Sequence, residues 1–316
     1  MGKMKLGSKI VLGFVLVLTV MLVVGVIAVF SMVRQGNRSR VLADEFVPQV
    51  EVAGNLAQDI SRIMFEVRGY VFTEKSDFLE AANDCYQKTK LTIQSAHDLA
   101  DRTQNLAKLK GSIGTIEKGI DDYKRMMEQG AAIINTVQAS LKEMGGIGID
   151  FQNQCVAYLE DQKEKMAADV GNDDAATRAM RRAQNILSVN EIVRRLYDIR
   201  IDVWQAQAKQ DPSILNSVQK DIDVIRSKLV EVKSQSDQKG EIEVFDKLLA
   251  CTDEYKARAD KLLEQWNLAK ELTQRRTLLG QEVQQKSDEI ASAGMEETLR
   301  VAQNTIKSMD FASFFI

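Results

Sequence analysis

Along most of the chain, apolar residues recur at alternating steps of three and four, the spacing that places them on one face of an α-helix. The longest run extends from Leu106 to Tyr158. It predicts one helix of about 60 residues, roughly 90 Å long at the usual rise per residue. A second long run extends from about Gly240 to Met309. The pattern predicts an all-α chain with two helices much longer than the others.

An offset of 132 residues relates the two halves of this pattern. Tyr123 then matches Tyr255, and Gly148 matches Gly280. The same offset aligns the segment 60–72 with 192–204, in which arginine, aromatic, acidic and aliphatic residues recur in register. The chain is therefore interpreted as an internal duplication.

Breaks in the pattern divide each copy into two short helices and one long helix. The breaks include Pro48, the segment 171–174 and the Asp211-Pro212 pair, where Asp is an N-cap and Pro occupies the first helical position. The predicted helices cover residues 44–73, 75–104, 106–170, 175–208, 212–238 and 240–309. Short connections between them predict six antiparallel helices that form two stacked four-helix bundles sharing the two long helices.

An uncharged stretch of 24 residues, from Ile10 to Val33, precedes these helices and is long enough to span a bilayer. A cleaved signal peptide is the alternative, but its apolar region is usually only about 7–15 residues. Residues 1–9 contain lysines and no acidic residue, which favours a cytoplasmic tail, although arginines also follow the span. Residues 34–308 then lie outside the cell, and the apolar segment 309–316 is read as the start of a second, truncated span.

Composition removes several function classes. The formal net charge is −3, which gives no general case for nucleic-acid binding. The single histidine, His97, and the three scattered cysteines argue against a His-based metal site and against the Ser/His/Asp triad of classical hydrolases. No cofactor is expected, and the chain is not expected to be an enzyme.

The span, the roughly 270 helical residues after it, the phrase Phe46-Val-Pro-Gln-Val50 and the duplicated arginine segments together resemble a known family. It is the helical bimodular sensor domain of bacterial methyl-accepting chemotaxis receptors and some histidine kinases. The segment 68–79 also resembles a single four-helix-bundle sensor of the CHASE3 type, but length and duplication favour the bimodular family. The resemblance implies a periplasmic sensor in the inner membrane whose bundles each bind a small organic anion, such as a carboxylate, through arginines. It also implies output to a chemotaxis adaptor and kinase through a C-terminal part that this chain lacks.

Arginines that border an apolar face are the candidate ligands for such an anion, because a guanidinium matches a carboxylate and is costly to bury alone. In the membrane-proximal bundle, Arg68 borders the inner face of its helix, and Arg276 and Thr273 interrupt an otherwise apolar seam. Counting helical rise from the membrane places Arg68 and Arg276 at similar heights. Tyr123 and either Thr273 or Thr277 are predicted as further donors.

In the distal bundle, the same count groups Arg195, Arg200, Tyr255 and Arg258. The alternative for all these arginines is pairing with acids on the surface, as Arg62 is expected to pair with Glu66 four residues later. Tyrosines at seam positions such as Tyr123 and Tyr255 are more often core residues than ligands.

Side-by-side packing of a thin, singly anchored bundle makes a homodimer the expected assembly. Two other functions stay open. The chain can be the sensor region of a membrane histidine kinase, which differs only in its output half. It can also be a membrane-anchored structural or adaptor protein, which would expose a broad apolar stripe to partner helices.

Overall fold

The computed structural model describes residues 6–103, 105–168, 175–236 and 238–315, and the described residues contain helices and short connections without a strand. The all-α prediction is confirmed. The helices are α1 (Leu6–Val41), a π-helical turn (Leu42–Phe46), α2 (Val47–Thr73), α3 (Ser76–Arg102), α4 (Ala107–Ala168), α5 (Ala175–Lys209), a 3₁₀ turn (Pro212–Ile214), α6 (Leu215–Ser234) and α7 (Lys239–Phe315).

Most helix ends lie within a few residues of their predicted positions. Helix α2 ends at Thr73 because Glu74 turns into the left-handed region, with φ 57°, and donates its N–H to the Tyr70 carbonyl. The Asp211 side chain accepts from the Ser213 N–H, as predicted, but the turn it caps is 3₁₀, so α6 begins three residues later than Pro212. The predicted break at 171–174 lies outside the described residues.

Pro48 restarts the helix, as predicted, and the structure shows how. Pro48 lies in the first turn of α2, directly after the π-helical turn Leu42–Phe46. A proline has no N–H for the carbonyl four residues earlier, and its ring would clash with that carbonyl. The wider π-helical turn relieves this conflict without ending the helical path. Glu45 in this turn accepts hydrogen bonds from Thr103 and Asn105, in the connection after α3.

The chain divides into two compact units. Unit 1 comprises Met1–Met127 and Arg275–Ile316, and unit 2 comprises Glu128–Gln274. Each long helix therefore contributes one part to each unit, as predicted for two helices shared by two bundles.

Unit 1 is built from α2, α3, the first part of α4 and the last part of α7, with α1 leading into it. Close helix approaches rely on glycines: a Cβ added to Gly119 of α4 would lie 2.5 Å from Val283 of α7. The buried Gln49 amide of α2 donates to the Ile290 carbonyl of α7 at 2.9 Å. At the surface, Glu117 of α4 accepts from Lys90 at 2.8 Å and pairs with His97 at 3.1 Å.

Unit 2 is built from the rest of α4, α5, α6 and the first part of α7. Its core is a continuous apolar seam in which Tyr158 of α4 and Phe245 of α7 meet edge to face at 4.8 Å. Further buried members come from all four helices: Phe151, Ile192, Ile199, Leu215, Ile222, Leu229, Leu248 and Leu262.

Among the described residues, the helical path Leu6–Thr73 is the one stretch apolar and long enough to cross a membrane, with a mean hydropathy of 3.2 in its most apolar part. The large apolar side chains of its N-terminal part are exposed. The predicted tail begins with residues 1–5, which lie outside the described residues. The predicted second span stays a prediction, since α7 is helical to Phe315 but the side chains from Asp310 onward are outside the described set.

Candidate functional site

A buried arginine and a buried tyrosine meet inside unit 1. Arg276 of α7 and Tyr123 of α4 are each 5% exposed. The Arg276 guanidinium donates a hydrogen bond to the Tyr123 hydroxyl. Arg68 of α2 is itself exposed, but its charge also acts on the Tyr123 hydroxyl. Three different helices of unit 1, α2, α4 and α7, thus each supply one of the predicted residues, and their role as a binding site stays a prediction.

The positive charges of Arg276 and Arg68 have no carboxylate ion-pair partner among the described residues. Burial lowers the pKa of Arg276 from its ordinary value, and the Tyr123 phenol acts against this shift. Burial also raises the pKa of Tyr123, which Arg276 and Arg68 oppose. The phenol is therefore neutral at physiological pH, and the cluster presents two positive charges and one hydroxyl.

Apolar side chains enclose the cluster on its inner side. Ile63, Val67, Cys85 and Met127 form one buried group with Tyr123. The small gap beside Tyr123 has no room for a water molecule. Tyr123 and Arg276 are therefore shielded from solvent, and Arg68 is the exposed member of the cluster.

The two threonines predicted beside this cluster are half-buried on α7. Thr277 belongs to unit 1 and Thr273 to unit 2. Each already takes part in an interaction of its own. Their role as ligand donors stays a prediction.

The arginines predicted as the distal group of unit 2 are held differently. Arg195 of α5 donates to Asp221 of α6 at 2.8 Å and to Glu191 at 3.4 Å. Arg258 of α7 pairs with Glu143 of α4 at 2.9 Å. Acids from neighbouring helices thus already neutralise both guanidinium groups, which is the alternative that sequence left open. Their role in anion binding stays a prediction.

Tyr255 is the buried centre of that group. Burial raises the pKa of Tyr255 to about 12, and the charge of Arg200 acts against this shift. Tyr255 borders a cavity of about 20 Å³, the volume of roughly one water. The other lining residues are largely apolar: Ile147, Phe151, Leu196, Ile199, Ile222, Ile225, Cys251 and Thr252.

The duplication explains why the two centres differ. Tyr123 and Arg68 match Tyr255 and Arg200 at the offset of 132, so each unit keeps one tyrosine with one nearby arginine. The position that matches Arg276, however, is Met144, a buried core residue of unit 2. The buried positive charge therefore belongs to unit 1 alone within this pair of matched positions.

Sequence reasoning missed a buried polar network in unit 2. Arg182 of α5 donates to Gln162 of α4 at 2.9 Å and lies 3.5 Å from Glu241 of α7. Gln162 donates to Glu241 at 2.8 Å. The buried Tyr158 hydroxyl and the Asn185 carbonyl oxygen lie beside this network without a hydrogen-bond partner of good geometry. The signal was present, because Arg182 and Gln162 continue the apolar seams of their helices.

Comparison with known proteins supports the fold. No protein-family model matches the chain, and no curated protein is detectably similar to it. The solved structure of the TorS sensor domain in complex with TorT, in the presence of TMAO, is similar with a TM-score of 0.51 and 11% identity, and the match covers 78% of this chain and 99% of that one. The TorS sensor domain of V. parahaemolyticus, described as a histidine kinase sensor, gives a TM-score of 0.47 at 11% identity over the same shares. The first of these likenesses shows that the chain shares the all-helical fold of that solved structure.

Proposed function

We propose that this chain is the ligand-sensing region of a membrane-anchored signalling receptor and that unit 1 binds a small organic anion between Arg276, Tyr123 and Arg68. The observation that carries the proposal is the buried Arg276 guanidinium, whose partner among the described residues is a neutral phenol. A buried charge without a counter-charge is costly, so an anion that supplies one gains a large part of its affinity from neutralising it.

The cluster also suits signalling. Its groups lie on α2, α4 and α7, so an anion bound among them would favour one relative position of these three helices. Helix α7 continues into the predicted second span, and a small sliding or rotation of α7 would carry that preference toward the membrane. The exposed apolar part of α1 is the proposed anchor.

For the output, we favour a histidine kinase over a chemotaxis receptor, because the similar solved structures are TorS sensor domains, one of them described as a histidine kinase sensor. The chemotaxis reading continues to rest on Phe46-Val-Pro-Gln-Val50 and the duplicated arginine segments. The coding sequence after codon 316 separates the two. An ATP-binding kinase domain supports the first, and a HAMP segment followed by a long glutamate- and alanine-rich hairpin supports the second.

The test of sensing is a thermal-shift measurement on the full chain in nanodiscs with acetate, succinate, malate, citrate and TMAO. An anion at a hundred times its dissociation constant should stabilise the chain by about 2.7 kcal/mol. Succinamide is the matched control for succinate, since it keeps the shape and removes the charge. Equal stabilisation by succinate and succinamide, or no stabilisation by any anion, would remove the proposal.

A further inference from the structure

A second apolar seam runs along the outside of α5. Its large side chains, Met180, Leu187, Tyr197, Ile201 and Trp204, are between 44% and 78% exposed. They recur at steps of seven and of three or four, which is the spacing of a and d positions in a coiled coil. The complete seam covers four heptads: Met180, Ala183, Leu187, Asn190, Arg194, Tyr197, Ile201 and Trp204.

This outer seam is not part of the core of unit 2. The buried residues of α5, such as Val189, Ile192, Leu196 and Val203, lie on the opposite side of the helix, two positions away along each heptad. Helix α5 therefore presents one apolar face to its own bundle and another to the outside.

The first copy of the duplication shows that folding does not require apolar residues on this face. At the offset of 132, Leu187 corresponds to Asn55 of α2, Ile201 to Gly69, and Met180 to Pro48. Asn55 is exposed, like Leu187. The two copies thus differ in polarity at the exposed positions 55 and 187, whereas the aromatic positions Phe65 and Phe72 are apolar like their counterparts. Gly69 is half-buried against Phe78 of α3, so this part of the first copy is covered by its own bundle.

We infer that the outer seam of α5 packs in parallel against the same seam of a second copy of this chain. The inference rests on the proposed membrane anchor, because two copies anchored in one membrane and related by a twofold axis along its normal have parallel α5 helices. In such a pair every a or d residue meets its own counterpart. Asn190 interrupts the apolar seam in its middle, and a polar seam residue of this kind fixes the register at a cost in stability. Arg194 would meet its own counterpart, so its long side chain is expected to turn its charge out to solvent at the edge of the pair.

The exposed apolar area reaches the threshold for a candidate interface. Five large side chains with these exposures present on the order of 500 Å² of apolar surface per copy. A pair would bury about 1,000 Å² through these residues alone, which reaches the lower bound of specific interfaces. The polar flanks of the seam would add to this area.

Cysteine crosslinking of the full chain in membranes tests the inference. Leu187→Cys and Ile201→Cys should each give several-fold more disulfide-linked dimer than the parent chain, because matched seam positions lie within disulfide reach in a parallel pair. The native Cys85, Cys155 and Cys251 are free thiols and set the background in every sample. Asn55→Cys is the matched control, exposed at the same position of the other copy, and should stay at background.

Two crosslinking outcomes would overturn the inference. One is crosslinking of Leu187→Cys no greater than that of Asn55→Cys. The other is crosslinking between a Leu187→Cys copy and a Tyr197→Cys copy without self-crosslinking of either, which indicates antiparallel helices. A Leu187→Glu/Ile201→Glu variant should run as a monomer by mass photometry in detergent while keeping the helical circular dichroism of the parent. A persisting dimer would also refute the seam.

The same preparations separate this inference from the proposed function. Membrane fractionation reports the anchor, and the succinate thermal shift reports anion binding in unit 1. If fractionation shows the chain in the membrane and succinate stabilises it, but the crosslinking fails, only the proposed pairing of α5 seams is wrong. The outer seam would then be a binding surface for a helix of another protein. If the chain is absent from the membrane fraction, the proposed anchor is refuted, and with it the basis for parallel pairing of α5, whatever the thermal shift shows.

Discussion

Replacement of Arg276 and Tyr123 by Met and Phe should make unit 1 more stable and unable to bind an anion. Met is the residue at the matched position 144 of unit 2, where it is buried in the core. Removing a buried, uncompensated guanidinium in favour of an apolar side chain of similar length should stabilise by about 1–3 kcal/mol. Arg276→Met alone should be close to neutral, since it leaves the buried Tyr123 hydroxyl without its partner at a cost of about 1–3 kcal/mol.

The two tryptophans help to localise the effect. Trp204 and Trp266 both belong to unit 2, so their fluorescence follows the unfolding of that unit, whereas far-ultraviolet circular dichroism follows both units. In urea, the circular-dichroism midpoint of Arg276→Met/Tyr123→Phe should rise, and the tryptophan midpoint should move less. Arg62→Met is the control, because Arg62 is exposed and lies 4.0 Å from Glu66, a surface pair worth at most about 1 kcal/mol.

Destabilisation of the double variant by more than about 2 kcal/mol would refute this reasoning, because it would mean that Arg276 is a net stabiliser of the folded chain. Unchanged stabilisation of the double variant by succinate would refute the anion site independently. The two failures are separable, since the first concerns the folded chain alone and the second concerns the ligand.

Three further perturbations test other parts of the structure by urea unfolding. Gly119→Ala should destabilise the chain by about 1–3 kcal/mol, because the added Cβ would clash with Val283 of α7. Gly114→Ala on the same helix, where a Cβ meets nothing within 4 Å, should stabilise by about 0.5–1 kcal/mol. Equal effects of the two variants would contradict the close approach of α4 to α7 at Gly119. Arg182→Ala should cost about 1–3 kcal/mol, because the buried Gln162 oxygen loses its donor and Glu241 loses one of two cationic neighbours, Lys165 remaining 3.3 Å away. Arg181→Ala at the exposed neighbouring position should cost at most about 1 kcal/mol; an Arg182→Ala no more costly than Arg181→Ala would contradict the buried network. Hydrogen bonds from Lys90 and His97 lower the pKa of Glu117, so the stability that Glu117 contributes is present above the ordinary carboxyl pKa and is lost as pH falls through the lowered value. Glu117→Gln should therefore be less stable than the parent at pH 7, by up to about 1 kcal/mol, and this difference in stability should disappear in acid. A difference that persists in acid would contradict the pairing of Glu117 with Lys90 and His97.

Apolar periodicity was sufficient to predict the helices, because a long apolar seam at steps of three and four fits an α-helix and no other regular structure. The helix break at Pro48 was also predictable, since a missing N–H is a local property of the residue. The form of the break was not, because a π-helical turn depends on how the chain re-enters the bundle. The connection after α3 holds that turn through Glu45, Thr103 and Asn105, residues about 60 positions apart in sequence.

Sequence predicts the features of the candidate site that follow from the apolar seam of one helix. It does not predict those that depend on contacts between different helices. Arg276 interrupts an apolar seam, so its burial follows from sequence. The pairing of Arg195 with Asp221 and of Arg258 with Glu143 joins different helices, and spacing within one helix cannot detect such pairs. The Arg182 network was missed because its members, Arg182, Gln162 and Glu241, are polar residues on three helices that lie beyond the clearly apolar part of each seam.

The ¹⁵N resonance of the Arg276 guanidinium tests the central claim most directly. It can be assigned as the arginine signal that disappears from the spectrum of Arg276→Met, and followed while succinate is added to the full chain in nanodiscs. A shift that saturates together with the thermal stabilisation is the predicted result. A stationary Arg276 signal in a chain that succinate does stabilise would contradict the account, since the anion would then be held elsewhere.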